Sequence, residues 1–379
     1  MDYIIYIHKI LNNSHIVWLK ASNQYINLKR PAFDAFQLLA ANTDKRIIAE
    51  MLNEKYGFDI SLSQNLIKNI DILISENIST EENSTEIKKV DNFESSGFIP
   101  SSTRQYKFND KIFSVSFGNK NIEDWFHPIF SHYELLKSPK IHYHFDIFNY
   151  KRQYYFRFWG VDIKQNADEL PIFEAKDLFA KLANLIYNKT ENDWLMTVHA
   201  SAITNKKKTI LITASSGSGK TTLAALLLTK NLHLVSDDLV SVDKQLNAYN
   251  FPSAMSVKRG ALNSLLDFYP ELKDKKEFHF SDEKKVRYLT TASHTNENPG
   301  FYPVKEVVFV QYDPKTEFKL TRLKRFNGIK RFLENAYIPP DEECAGIFLD
   351  WALKTSFYSL TYSDKEKATA AMIKIFENE

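Results

Sequence analysis

The stretch Ala214-Ser215-Ser216-Gly217-Ser218-Gly219-Lys220-Thr221-Thr222 has the residue types and spacing of a phosphate-binding turn. Two glycines let consecutive backbone N–H groups turn inward around an anion, and a helix starting there adds the positive end of its dipole. Lys220 supplies a mobile charge for the β- and γ-phosphates of ATP, and the Thr221 hydroxyl is placed for Mg²⁺. Ser215, Ser216, Gly217, Ser218, Gly219 and Thr222 complete the cradle. The pattern departs from its usual form at the first position, where Ala214 replaces glycine. Alanine fits if its φ stays negative. A short way on, Leu232-His233-Leu234-Val235-Ser236 runs into two acids, Asp237 and Asp238. One can serve the metal, here assigned with Thr221 to Asp238, while the other orients or deprotonates an incoming hydroxyl. Which aspartate is the base stays open. His199 lies upstream in Val198-His199-Ala200-Ser201-Ala202, with a structural and a catalytic role equally open to it.

Local elements must hold these residues in place. Lys208-Thr209-Ile210-Leu211-Ile212-Thr213 reads as a buried strand, and Thr222 to Leu228 as a helix. The acids then fall at the carboxyl end of a strand, expected parallel to and beside the first, where nucleotides bind in open α/β sheets. His199 is expected on a strand hairpinned to the phosphate-loop strand through a solvated lysine turn, Asn205–Lys208.

The chain divides by composition into 1–77, 78–97, 98–192 and 193–379. In the first stretch, His15–Leu19 and Gln24–Leu28 read as strands and Met1–His8 as a further one. Pro31 opens a helix, Thr43 caps a second that Gly57 ends, and Ser61 or Ser63 caps a third. That order suggests a winged-helix-like α+β module. Its basic residues alternate with acids such as Asp34, Asp44, Glu50 and Asp71, a poor footprint for nucleic acid. The next stretch is polar and reads as a linker. The third is aromatic-rich, with strands at Lys140–Phe148 and Tyr154–Trp159, a turn at Asn149–Gln153 and a helix over Leu178–Ile186. Its aromatics read as core and sheet faces. The last holds the phosphate turn, a strand at Val307–Tyr312 and helices at Arg331–Asn335, Glu342–Leu353 and Asp364–Phe376, the last capped by Ser363.

With 379 residues, two or three domains are expected. Forty-nine basic and 47 acidic residues leave a formal charge of +2, so no global field points to nucleic acid or membrane. The single cysteine, Cys344, excludes an intramolecular disulfide framework and reads as a buried apolar thiol. No apolar run approaches a membrane span and no targeting segment is visible, so the expectation is a soluble, cytoplasmic protein.

His199-Ala-Ser-Ala, then Ala214–Thr222, then Leu234–Asp238 resemble the HPr kinase/phosphorylase family over about Asp193–Asp313. The resemblance implies an ATP- and Mg²⁺-dependent serine kinase of α/β P-loop fold. In it, Lys220 and Thr221 bind ATP–Mg²⁺, His199 lines the phosphate site, and the Asp237/Asp238 pair supplies base and metal ligand. Phe251-Pro252-Ser253 and Lys258-Arg259 fall where that family has further substrate or phosphate contacts. From His15 to about Asn77 the chain is similar to PqqD-like modules, which bind leader peptides by strand addition. The combination looks like the kinases that tailor ribosomally made peptides, such as lasso-peptide precursors. A precursor peptide or small protein is therefore the expected partner, and homo-oligomers the family precedent. Two other readings keep the site: a nucleotide-gated peptide-binding module, and a small-molecule kinase.

Overall fold

The computed structural model describes residues 5–78, 98–150, 153–160, 168–172, 175–215, 217–279, 285–290 and 300–378. The polar stretch read as a linker lies almost wholly outside them, as do Ser216 and residues 151–152 of the expected Asn149–Gln153 turn. The fold is mixed α/β, with several sheets and helices packed on them. Residues cluster into two compact units. One is Met1–Ile87 with Lys324–Leu333 and Tyr337–Thr355, and the other holds the remainder. Among the described residues, no helix is long and apolar enough to cross a membrane.

The first unit begins with an antiparallel sheet of β1 (Tyr6–Leu11), β2 (Ser14–Leu19) and β3 (Gln24–Lys29), in that order. Three helices follow: α1 (Arg30–Ala40), α2 (Lys45–Tyr56) and α3 (Ile60–Ile78). Pro31 sits in the first turn of α1, and Gly57 closes α2 with φ +69°. The expected caps shift, by one residue at the second helix and by two or four at the third. Asp44, not Thr43, accepts from Arg46 N–H, and Asp59, not Ser61 or Ser63, accepts from Leu62 N–H at 2.8 Å. A carboxylate at a helix start gains from the dipole as well as the hydrogen bond, so it outcompetes a hydroxyl beside it. The core joins Val17, Leu19 and Leu28 to Phe33, Phe36 and Ile70. The helices Arg325–Leu333 and Glu342–Lys354 belong to this unit although they arrive late in the chain. Glu342–Lys354 packs on β1, where Asp350 pairs with Lys9 at 2.7 Å, and Phe348 meets Tyr25 edge-on. Cys344 is buried within it, as expected.

The second unit opens with a six-stranded sheet. Its strands are β4 (Ser102–Phe108), β5 (Lys111–Phe117), β6 (Glu134–Leu135), β7 (Tyr143–Tyr150), β8 (Gln153–Gly160) and β9 (Asp168–Ile172), in the order β6-β4-β5-β7-β8-β9. Helices α4 (Lys120–Phe130) and α5 (Ala175–Tyr187) contribute to its core. Phe108, Phe113, Phe117, Phe126, Phe130 and Phe145 are fully buried there. These six rings are thus core, and each removes a large apolar surface from water, whereas Tyr154 on β8 is exposed.

The larger mixed sheet carries the candidate site residues. It contains β10 (Trp194–Val198), β11 (Ala200–Thr204), β12 (Thr209–Thr213), β13 (His233–Asp237), β14 (Val240–Asp243) and β15 (Asn247–Tyr249). A small sheet of β16 (Met255–Lys258), β17 (Phe278–His279) and β18 (Lys285–Leu289) precedes the long β19 (Phe301–Tyr312). The order across the middle is β13-β11-β12-β19, and the strand Ser356–Tyr362 runs parallel on the far side of β19. The expected neighbour relation is corrected here. β13 runs in the same sense as β12, but β11 is inserted between them, antiparallel to both. The hairpin from β11 into β12 follows at once in sequence and claims that edge first.

The turn of that hairpin corrects a second expectation. Lys206 and Lys207 are solvated, but the Lys208 ammonium donates to Ile375 O at 2.7 Å, to Asn378 O, and to Glu306 at 3.3 Å. A cation there satisfies carbonyls at the end of the last helix, Lys365–Glu377, with the favourable dipole sign. That helix is capped by Asp364, which accepts from Lys367 N–H, rather than by Ser363. The helix expected from Arg331 starts at Arg325 and ends at Leu333.

Candidate functional site

Between β12 and the helix α6 (Lys220–Leu228) the chain makes one tight turn. Leu223 to Leu228 are all buried, so α6 is held on every side and its N-terminus is fixed in place. Gly217 has φ +87° and Gly219 φ +92°. Ala214 has no positive φ and packs into the core, so the departure at that position costs no strain. Ser218 N–H donates to Ser215 O at 3.1 Å, and Ser218 O accepts from Tyr312 N–H at 2.9 Å. The turn is thereby tied to the carboxyl end of β19. A Cβ on Gly219 would stand 2.9 Å from the Tyr362 hydroxyl, in a backbone region that costs an L-residue about 1–2 kcal/mol. Gly219→Ala should therefore lose about that much stability on denaturant unfolding. An unchanged midpoint would show that the turn relaxes freely.

Around this turn the sequence-selected residues converge. The Thr221 hydroxyl donates to the Asp237 carboxylate at 3.2 Å, and the Ser201 hydroxyl donates to its other oxygen. Ser201 stands directly opposite Asp237 in the β11–β13 register, which is why the two meet. Asp237 is 4% exposed. Burial pushes its pKa up, against Lys220 and the hydrogen bond from Ser201, which pull it down. Asp238 is its opposite. It sits past the strand end with φ +81°, and its side chain is 68% exposed. Neighbouring acids thus face different surroundings, one dry and one wet.

His199 lies at the bend between β10 and β11 rather than on a strand. The Lys220 ammonium donates to its Nε2 at 3.0 Å. Its Nδ1–H donates to Asp238, 3.0 Å from the carbonyl oxygen and 3.2 Å from the carboxylate. Burial, then the charge on Lys220, lowers its pKa, consistent with a neutral ring accepting on one side and donating on the other. Lys220 also lies 3.5 Å from the Asp238 carboxylate. Lys220, His199 and Asp238 form one connected group, and Thr221, Asp237 and Ser201 form another beside it.

Both groups open on a cleft of about 500 Å³. Ser215, Gly217, Gly219, Lys220, Thr221 and Thr222 line it, whereas Ser218 is buried with its backbone turned to β19 and Ser216 lies outside the described residues. The cleft's rim adds residues that spacing did not assign. Lys285 and Lys365 join Lys258 and Arg259, and Tyr312 and Tyr362 form a wall. Each comes from a distant segment with no motif of its own, so only the fold brings it here. Of the other expected contacts, Phe251 is instead in the aromatic core.

The donor set suits a hard cation. A hydroxyl and a buried carboxylate meet at the start of a helix, and Mg²⁺ takes such oxygens with one or two carboxylates plus substrate phosphates. The sequence assignment of the metal to Asp238 is not what the geometry pairs. Thr221 contacts Asp237, while Asp238 faces His199 and Lys220. A left-handed residue at the strand end swings the second acid away from Thr221. Among the described residues, no group of three or more His, Cys, Asp or Glu forms a metal cluster.

No model of a known protein family matches the chain, and no curated protein matches it. A solved structure of the Hpr(Ser) kinase/phosphatase from Coxiella burnetii is similar over 47% of this chain and 97% of that chain, at 12% identity and a TM-score of 0.22. A likeness at that score carries no weight on chemistry, which has to come from the side chains.

Proposed function

We propose that the cleft binds ATP with Mg²⁺ and transfers the γ-phosphoryl to a serine or threonine hydroxyl of a peptide or small protein, a ribosomally made precursor peptide among them. One observation carries this reading. A glycine-rich helix start presents Lys220 and Thr221 to two acids of unlike exposure, Asp237 buried on Thr221 and Asp238 open beside His199.

The backbone N–H groups of the turn and the Lys220 ammonium hold the phosphates. Thr221 and Asp237 would hold the metal, which would supply charge neutralisation at the transferring phosphoryl. Asp238 takes the proton of the acceptor hydroxyl as its oxygen bonds to γ-phosphorus. The bond from that phosphorus to the β–γ bridging oxygen breaks, and ADP leaves. His199 Nδ1–H orients Asp238 and is a positioning residue. The basic rim of Lys258, Arg259, Lys285 and Lys365 favours polyanionic ligands. On the first unit, β3 is an edge strand of its three-stranded sheet, which supports peptide capture by strand addition there.

The test incubates the full chain with ATP, Mg²⁺ and serine- or threonine-containing peptides, read by mass spectrometry. One added phosphoryl on an acceptor is expected. ATP turnover with no acceptor gaining mass would sink the kinase reading and leave a nucleotide-gated binder.

A further inference from the structure

The proposed γ-phosphate end lies beside Asp238, at the β11–β13 side of the turn. The opposite wall of the cleft, at the carboxyl ends of β19 and of the strand Ser356–Tyr362, is aromatic. There Tyr312 and Tyr362 are register partners, with rings edge-on at 5.9 Å. Their surroundings differ. Tyr362 is 1% exposed and its hydroxyl donates to Gly219 O at 3.4 Å, so it buttresses the turn. Tyr312 is 44% exposed, at the end of a strand whose middle residues Val307–Val310 are buried and whose last two, Gln311 and Tyr312, open to the surface. Its backbone is pinned by the bond to Ser218 O and by the pairing with Tyr362. A large ring thus stands half in water, on a central strand whose end is tied to the phosphate turn and which β12 and β11 separate from the acid-bearing β13. Core packing does not explain that placement, because the ring is open to the cleft.

We infer that Tyr312 is the stacking platform for the nucleobase, so that the nucleotide spans the cleft from β19 to β13. This deepens the phosphate reading and rests on it. A flat, rigid aromatic face is what a base needs, and such stacking is tolerant of base identity because every base has a π-face. It orders little of the backbone, since the strand that carries the ring is already pinned to the turn.

Isothermal titration of the full chain with Mg²⁺ compares ATP with inorganic tripolyphosphate, which has the phosphates but no base. Tyr312→Ala should weaken ATP by about ten-fold, the scale of one lost base–aromatic stack, and leave tripolyphosphate within about two-fold. Tyr312→Phe should bind both like the wild type. ATP affinity unchanged in Tyr312→Ala overturns the subsite. An equal loss for both ligands also overturns it, by showing that the substitution distorts the turn instead. Failure of wild-type protein to bind tripolyphosphate overturns the phosphate reading itself, and the base subsite with it.

Discussion

Asp238→Asn should leave ATP bound and reduce phosphoryl transfer by about 10²–10⁴-fold, the usual contribution of a positioned general base. The substitution is nearly isosteric, and asparagine tolerates the left-handed backbone that residue 238 occupies, so the strand end has no reason to rearrange. Binding should hold or improve slightly. Asp238 now lies 3.5 Å from the Lys220 ammonium, and losing its charge frees that cation for phosphate. The measurement is single-turnover transfer from labelled ATP together with nucleotide affinity. Transfer at the wild-type rate would remove Asp238 as the base. Parallel loss of binding and transfer would move it to the metal, where its sequence pattern first assigned it.

The ambiguity between the two aspartates shows where sequence stops. Asp237 and Asp238 are identical in type and adjacent, and alternation along a strand predicts only that they face opposite ways. Their surroundings separate through two things spacing does not encode. Ser201 arrives opposite Asp237 because β11 is inserted next to β13, and the chain turns left-handed at Asp238. By contrast, the turn from Ala214 to Thr222 was legible because its chemistry is local. Glycines, lysine, threonine and the helix that follows are contiguous, so strand, turn and helix were read from one stretch. His199 lies between. Its proximity to the turn was visible through the hairpin, but its contact with Lys220 depends on a bend at the β10–β11 junction.

The cleft's far wall and rim were not legible for the same reason. Tyr312, Lys285 and Lys365 come from three separate segments and carry no motif. In the aromatic unit, composition revealed core and strands but not the buried pair of Asp146 and Arg157, 2.6 Å apart across β7 and β8. Such a pair is set by register alone. The late helices Arg325–Leu333 and Glu342–Lys354 pack on each other through Phe332, Phe348 and Trp351, and the second joins the N-terminal strands through Phe348 on Tyr25 and Asp350 on Lys9. Amphipathic periodicity reveals that a helix has a buried face, not which partner covers it.

Lys220→Met has the second large expected effect. Methionine keeps most of the apolar stem that packs at the start of α6, so a stable fold is expected, checked by an unchanged thermal midpoint. The ammonium is what disappears. It now links His199 Nε2 to Asp238 and is the charge that most opposes the burial-driven rise in the pKa of Asp237. Without it, two carboxylates face the incoming triphosphate with only backbone donors between them. Transfer should fall by about 10²–10³-fold, as when one preorganised donor to a developing anion is removed, with ATP affinity falling too. Activity near wild type would show that the turn's backbone and the rim cations suffice. The double variant with Asp238→Asn sharpens the test. The two groups are in contact, so their effects should not add. Part of the cost of Lys220→Met is repulsion from Asp238, and neutralising that carboxylate should restore some ATP affinity even though transfer stays lost. Strict additivity in affinity would mean that the pair seen at 3.5 Å has no energetic coupling in the nucleotide-bound protein.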